Sequence, residues 1–281
     1  MPVSMTFFGT TTWLLDDGET QILLDAHLTR PSLPRALLGK IRTNTAFVDE
    51  VLRRFPMDRL RAIFVSHSHY DHVLDAAYIA GKTGADIYGT ISTKNVGLGG
   101  GIPDARLHLF EEDAPVSVGA FEITVLPSIH SKPTAINNDL GVVIERPLKQ
   151  PARMRDYSEG GSYDFYIRHG EQTLLVRPSC NYIEGSLKDV RADTLLLGIG
   201  GLGKEDGAFH DKFYRETVGY VQPKRVIPVH WDNFFKPLKA PLPYQTRIAD
   251  DTEGNMIYMK TRLEQDGIAF DVVDAFETVT L

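Results

Sequence analysis

The chain has 281 residues, 42% of them hydrophobic and 24% charged, with a formal net charge of -7. Those values exclude wholesale disorder and a membrane-protein composition, and the acidic balance argues against a nucleic-acid binder, which needs a basic face. No apolar run approaches the roughly 18 residues that span a bilayer. The opening MPVSMTFFGTTTWLL lacks the features of a secretory signal, and the single cysteine, Cys180, suits a reducing compartment, so the cytoplasm is the expected location.

In chain order, MTFFGTTTWLLDDGETQILLDA reads as a β-meander, with β-branched and aromatic residues on either side of a tight turn at DDGE. A Pro-rich loop follows. TNTAFVDEVLRRFP has apolar residues at helical spacing behind a Thr that could cap it, and RAIFV returns as a short buried strand. DHVLDAAYIAGKTG predicts a helix stopped by glycine, ADIYGT a strand, and SVGAFEITVLPSIH one or two further strands. Residues 131 to 161 are proline-broken, with one strand-like stretch, GVVIE, and a long irregular segment of this kind suits a lid or insertion. SYDFYIRHGEQTLLVRP predicts a hairpin, DTLLLGIG a strand, AFHDKFYRETVGYVQ a helix and RVIPVHW a strand. No linker divides the two strand-rich halves, so the expectation is one α+β domain over 1–281, two strand layers packed together with helices outside.

The stretch IFVSHSHYDHVLDA carries the chemistry. His67, Ser68, His69, Tyr70, Asp71 and His72 give H-x-H-x-D-H directly after a buried strand. In an extended loop, residues two apart point the same way, so His67 and His69 can hold one ion while Asp71 and His72, past the turn, face another. A solvated loop, or Asp71 as a helix cap, would account for one isolated histidine but not for three with an aspartate. His130 and His230 also follow apolar strand-like runs, so three strand ends could meet at one edge. A histidine and carboxylate set suits zinc, with manganese or iron also accommodated.

On the H-x-H-x-D-H motif, with His130 and His230 following in order and Asp25 in ILLDAH before it, the sequence resembles the metallo-β-lactamase superfamily. That resemblance implies a four-layer αββα sandwich with a metal site at one edge of the strand layers. It implies that His67, His69 and His130 hold the first ion and Asp71, His72 and His230 the second, with Asp25 orienting ligands by hydrogen bonding. A metal-bridging aspartate that many members carry in the second half is missing: LLVRPSCNYIEG places Pro178, Ser179, Cys180 and Asn181 there. One ion, two ions bridged by water, or a Cys180 thiolate would each answer that gap, and a buried structural cysteine is the plainer reading of Cys180. With VIPVHWDNFF and LLLGIGGLG, the missing bridge is similar to the branch that contains the ascorbate-6-phosphate lactonase and the N-acyl phosphatidylethanolamine-hydrolysing phospholipase D.

The function implied is a metal-dependent hydrolase acting on a small-molecule lactone, ester or phosphodiester. A metal-bound hydroxide would be the nucleophile, with Asp71 binding metal and orienting the hydroxide or relaying its proton. Two other readings stand beside it. GIGGLG, residues 198 to 203, matches the dinucleotide fingerprint of an NAD-linked oxidoreductase, though KEDG delays the helix and no acid follows at the right distance. A non-catalytic metal-binding domain is the other. GLGGG, residues 97 to 101, reads as a flexible loop, and His27, His108, His169 and His210 as surface or packed histidines. Lys132, Arg153 and Arg155 could meet an anionic substrate or simply belong to a solvated lid with Asp139, Asp156 and Glu159.

Overall fold

The computed structural model describes residues 2–112, 114–134 and 138–281. Three strands open the chain, β1 (Ser4–Phe7), β2 (Trp13–Asp16) and β3 (Gln21–Leu24), each antiparallel to the next. Their connecting turn follows from local chemistry: the Asp17 carboxylate accepts from the amides of Glu19 and Thr20 while Gly18 takes φ +92°. The stretch expected as a Pro-rich loop holds a short helix, α1 (Leu33–Leu38), whose Pro lies in the first turn, where a missing amide is harmless. Next comes α2 (Thr45–Arg54), capped not by a Thr but by Asn44, which accepts from the Phe47 amide.

Strand β4 (Leu60–Phe64) runs parallel to β3 and leads into the histidine motif. The single helix expected there is two, α3 (Tyr70–Val73) and α4 (Ala76–Thr83). Asp75 stands at the break, its carboxylate committed to the amides of Leu28 and Thr29 at 2.8 and 2.6 Å. After β5 (Asp86–Gly89) comes a helix the sequence reading missed, α5 (Ile91–Gly99), and then β6 (Leu107–Leu109). The GLGGG stretch is therefore the end of a helix, not a flexible loop. Its glycines are needed for close approach, since a Cβ on Gly97 would lie 2.5 Å from Leu107 and one on Gly99 2.0 Å from the Leu148 carbonyl oxygen.

The second half comprises β7 (Val116–Val118), β8 (Phe121–Ser128), β9 (Ser162–His169), β10 (Gln172–Arg177), β11 (Thr194–Gly198), α6 (Gly207–Tyr214), β12 (Arg225–Val229), α7 (Thr252–Gln265), β13 (Ala269–Phe270) and β14 (Thr278–Thr280). Helix α6 continues as a π-helical turn over Arg215–Gly219. GVVIE is not a strand: Ile144 is held instead by side chains, its amide donating to Ser92 and its carbonyl accepting from Asn95. Of the segment 131–161 expected as a lid, residues 135–137 lie outside the described residues.

The strands form two seven-stranded sheets, ordered β14-β1-β2-β3-β4-β5-β6 and β13-β12-β11-β10-β9-β8-β7. Each is antiparallel on one side and parallel on the other: β3 to β6 in the first, β10 to β13 in the second. The sheets pack face to face, with Phe64 of β4 meeting Phe165 of β9 edge-on at 5.9 Å between ring centroids. Helices α4 and α5 cover the first sheet and α7 lies against β13 of the second, which completes the expected αββα sandwich. No helix among the described residues is long and apolar enough to cross a membrane.

Candidate metal centre

The parallel strands deliver their C-terminal ends to one edge, where open α/β sheets place their sites. Past β3, Asp25 takes a left-handed φ of +51° and is almost fully buried. Its Oδ1 accepts the Ser66 amide at 2.7 Å, while its Oδ2 accepts the hydroxyls of Thr11 and Ser66 at 2.5 and 3.0 Å and lies 2.7 Å from His72 Nδ1. Past β4, His67 and His69 follow in a bent loop, with His69 in the extended region (φ -60°, ψ 149°). Ser68 between them turns the other way, its hydroxyl on Thr93 at 2.9 Å and its amide donating to the Glu159 carbonyl at 2.9 Å. Helix α3 starts immediately after His69 and sets Asp71 and His72 in its first turn.

Ligand-type atoms of His67, His69 and His130 all lie within 4.8 Å of one another, and so do those of Asp71, His72 and His230. The two groups adjoin, with the His67 and His72 rings 3.8 Å apart. His130 comes two residues after β8; the Asn181 side chain donates to its carbonyl at 2.8 Å, and its Nδ1 lies 2.9 Å from the Ser131 carbonyl oxygen. His230 follows β12 directly with φ +59°, its amide donating to Thr10 at 2.7 Å. A non-glycine residue held in this region costs on the order of 1–3 kcal/mol, and such strain gathers at functional sites. Gly200 lies beneath it: a Cβ there would sit 2.4 Å from the His230 carbonyl oxygen and 2.9 Å from its Nδ1.

Burial, reinforced by the neighbouring histidines, keeps His67 well below its ordinary pKa, and burial pulls His130 down to about 3, so both rings are neutral and offer lone pairs. Burial alone would raise the Asp71 carboxyl, but His72 and a hydrogen bond from His230 outweigh it and hold it well below the usual carboxylate range. Burial would likewise lower His230, yet Asp71, 3.2 Å from its Nε2, lifts it above the ordinary imidazole value.

The remaining sequence candidates find other roles. Cys180 is in neither ligand group among the described residues; burial pushes its thiol well above the ordinary value, and its amide donates to Ser131. The turn without a carboxylate supports His130 through Asn181, and Arg177 reaches into it, donating to the Asn181 carbonyl at 2.8 Å while pairing with buried Asp164. In GIGGLG the amides of Gly201 and Gly203 donate to the buried Asp250 carboxylate at 2.9 and 3.0 Å, so they are already occupied where a pyrophosphate would need them. His108 meets Asp86, His169 meets Asp17, and His210 meets the Leu202 carbonyl. His27 is fully buried beside Tyr70 and Phe234, with Nδ1 3.3 Å from the Thr10 hydroxyl. Lys132 pairs with Glu205 over the Phe209 ring, and the Arg153 amide donates to Asp156.

Sequence reasoning did not single out Asn181, Ser66, Thr11, Gly200 or Asp250 as supports for the site. Asp139 and Glu159 were noted only as acidic neighbours in the irregular segment. Their part depends on contacts far apart in the chain, for which no local pattern exists.

The donor set fits a cation. The Nε2 atoms of His67 and His72 are buried with no hydrogen-bond partner among the described residues. Leaving each so costs on the order of 1–3 kcal/mol, which a metal ion accepting the lone pair offsets.

Comparison with known proteins bears on the family and the fold. A family model described as the beta-lactamase superfamily domain matches residues 20–231. A UPF0173 metal-dependent hydrolase of Pyrobaculum arsenaticum is 24% identical over 258 residues, covering 90% of this chain and 95% of that protein. One from Heliobacterium modesticaldum is 27% identical over 235 residues, covering 82% and 83%. In architecture the chain is similar to Igni18, a metallo hydrolase from Ignicoccus hospitalis, with a TM-score of 0.64, 19% identity and coverage of 100% and 99%.

Proposed function

The chain belongs to the beta-lactamase superfamily, and we infer that it is a metal-dependent hydrolase working as one domain. In this reading His67, His69 and His130 hold one divalent ion and Asp71, His72 and His230 a second. The single observation that carries it is the pair of adjoining three-residue ligand groups. Zinc suits this set best, with manganese or iron compatible. A small-molecule lactone, ester or phosphodiester is the substrate class of this reading, which draws on the sequence's resemblance to the lactonase and phospholipase D branch. The relatives named above, themselves called metal-dependent hydrolases, support the reaction class.

When bound, the ions supply a Lewis acid that lowers the pKa of water and polarises a carbonyl or phosphoryl oxygen. The chain's residues do the rest. His67 and His130, kept neutral by burial, present lone pairs without first losing a proton. Asp71 stays ionised, so its carboxylate binds and accepts a hydrogen bond from the attacking water, orienting it; so strongly held a carboxylate is a better anchor than a base. Tyr70, Phe234 and Phe235 pack together beside His230 and limit solvent on that side.

The test is metal content per chain, on protein purified without chelator, with hydrolysis of lactone, ester and phosphodiester panels alongside. Two ions in the wild type, loss in a His67→Ala, His69→Ala double variant, and loss of turnover in Asp71→Ala are expected. One ion would overturn the two-ion reading. Metal binding with no turnover on any panel would favour a non-catalytic metal domain, and full activity in metal-loaded Asp71→Ala would remove Asp71 from the mechanism.

A further inference from the structure

Three of the site's histidines share one arrangement. His67 Nδ1 is 3.2 Å from the Ser66 hydroxyl, His72 Nδ1 is 2.7 Å from Asp25, and His130 Nδ1 is 2.9 Å from the Ser131 carbonyl, so in each ring Nε2 is left for an ion. His69 is the reverse: its Nε2 lies 3.1 Å from Asp139 Oδ1. Asp139 is distant in sequence and belongs to the irregular segment, not to the sheets. It is nonetheless fixed on three sides. Its Oδ2 accepts the Glu159 amide at 3.2 Å, and its carbonyl accepts the Val142 amide at 2.9 Å. Glu159 is itself buried, with its carboxylate on the amides of Gly141 and Gly161 and its carbonyl on Ser68, the residue between His67 and His69. The described part of the segment thus grips the H-x-H tripeptide twice, at Ser68 and at His69.

We propose that Asp139 is a positioning residue for the first ion: it accepts the Nε2–H of His69 and so orients Nδ1 toward His67 and His130. The inference rests on the metal-centre reading above. A carboxylate on the far nitrogen fixes ring orientation and raises ligand basicity, and loss of such a partner typically lowers metal affinity by about 10–100-fold. It also supplies from the irregular segment a carboxylate beside the site, where the turn at 178–181 has none. Asp139 is not itself in the ligand group, whose ligand atoms are those of His67, His69 and His130, so its effect passes through His69.

The experiment measures affinity for zinc by chelator competition in wild type, Asp139→Asn, Asp139→Ala and His69→Ala, with the His69 Nε2–H proton followed by NMR. Asp139→Asn keeps an acceptor of the same shape without the charge, and the ion at Asp71, His72 and His230 is the internal control. The expected order for the first ion is wild type, then Asp139→Asn, then Asp139→Ala, the last weaker by about 10–100-fold, with the second ion unchanged and the protected Nε2–H signal lost in the Ala variant. If His69→Ala loses the first ion while both Asp139 variants bind as wild type does, Asp139 only seats the segment and the proposal falls alone. If the wild type binds no zinc, the metal-centre reading falls and takes this proposal with it.

Discussion

Asp25 Oδ2 lies 2.7 Å from His72 Nδ1, and the same carboxylate accepts the Ser66 amide at the other end of the histidine motif. One buried side chain thus ties the residue before His67 to His72, the last residue of the motif, across the turn where strand becomes helix. With Nδ1 donating to a carboxylate, His72 presents Nε2, the nitrogen that is buried with no hydrogen-bond partner among the described residues.

Asp25→Asn is therefore expected to weaken the ion at Asp71, His72 and His230 by about 10–100-fold. Asp25→Ala should in addition lower stability, because the Ser66 amide and Thr11 hydroxyl lose their acceptor. Chelator competition gives the first quantity and urea unfolding the second. An unchanged affinity in Asp25→Asn would show that packing alone orients His72.

Gly200→Ala should act on the same ion from the opposite sheet. Its new Cβ would meet the His230 carbonyl oxygen at 2.4 Å, closer than real atoms approach, so the loop must shift. The expected outcome is loss of one ion per chain with the ion at His67, His69 and His130 retained. Elemental analysis reads it directly, and two ions in the variant would mean that the loop relaxes without moving His230.

The buried Asp164–Arg177 pair, 2.8 Å apart, links the second sheet to the turn supporting His130. Arg177→Met should cost about 3–5 kcal/mol in urea unfolding, because it strands a buried carboxylate. Asp164 also makes a pH prediction: burial raises its carboxyl to about 6 despite Arg177, against about 3.9 when unfolded. The folded state holds that proton more tightly, so this contribution to stability is fully present below about pH 4 and is lost as pH rises through about 6. The stability of wild type relative to Asp164→Asn should fall across that window by on the order of 3 kcal/mol. A flat difference would show that the pair stays ionised throughout.

In chelator the sign reverses. His67 and His130 have folded pKa values below the unfolded value, His130 at about 3, so their contribution is present above about pH 6.5 and is lost as pH falls toward about 3. The metal-free melting temperature should drop on acidification from neutral pH, and His130→Gln should drop less. Equal slopes would mean that these rings take protons without unfolding.

Much of this organisation is legible in the sequence, for physical reasons. The meander, β4, the β9–β10 hairpin, β11 and β12 announce themselves because buried strands need contiguous apolar side chains, and the H-x-H-x-D-H spacing is visible because its residues are neighbours. Helix α5 was missed since its glycines resemble a loop until Leu107 and Leu148 close on them, and GVVIE was misread since Ser92 and Asn95, not a strand partner, satisfy Ile144. Asp139, Asn181 and Gly200 lie against site histidines 70, 51 and 30 positions away, respectively, and only the closed fold brings them there.

Asp71 and His72 are carried by the first sheet and His230 by the second, so their shared ion would behave as a rivet between two halves. Its occupancy would then report whether the halves are in register, and at 1,000 times its dissociation constant it would add about 4 kcal/mol to the folded state. Metal supply would in this way set how long the chain survives, as well as how fast it turns over.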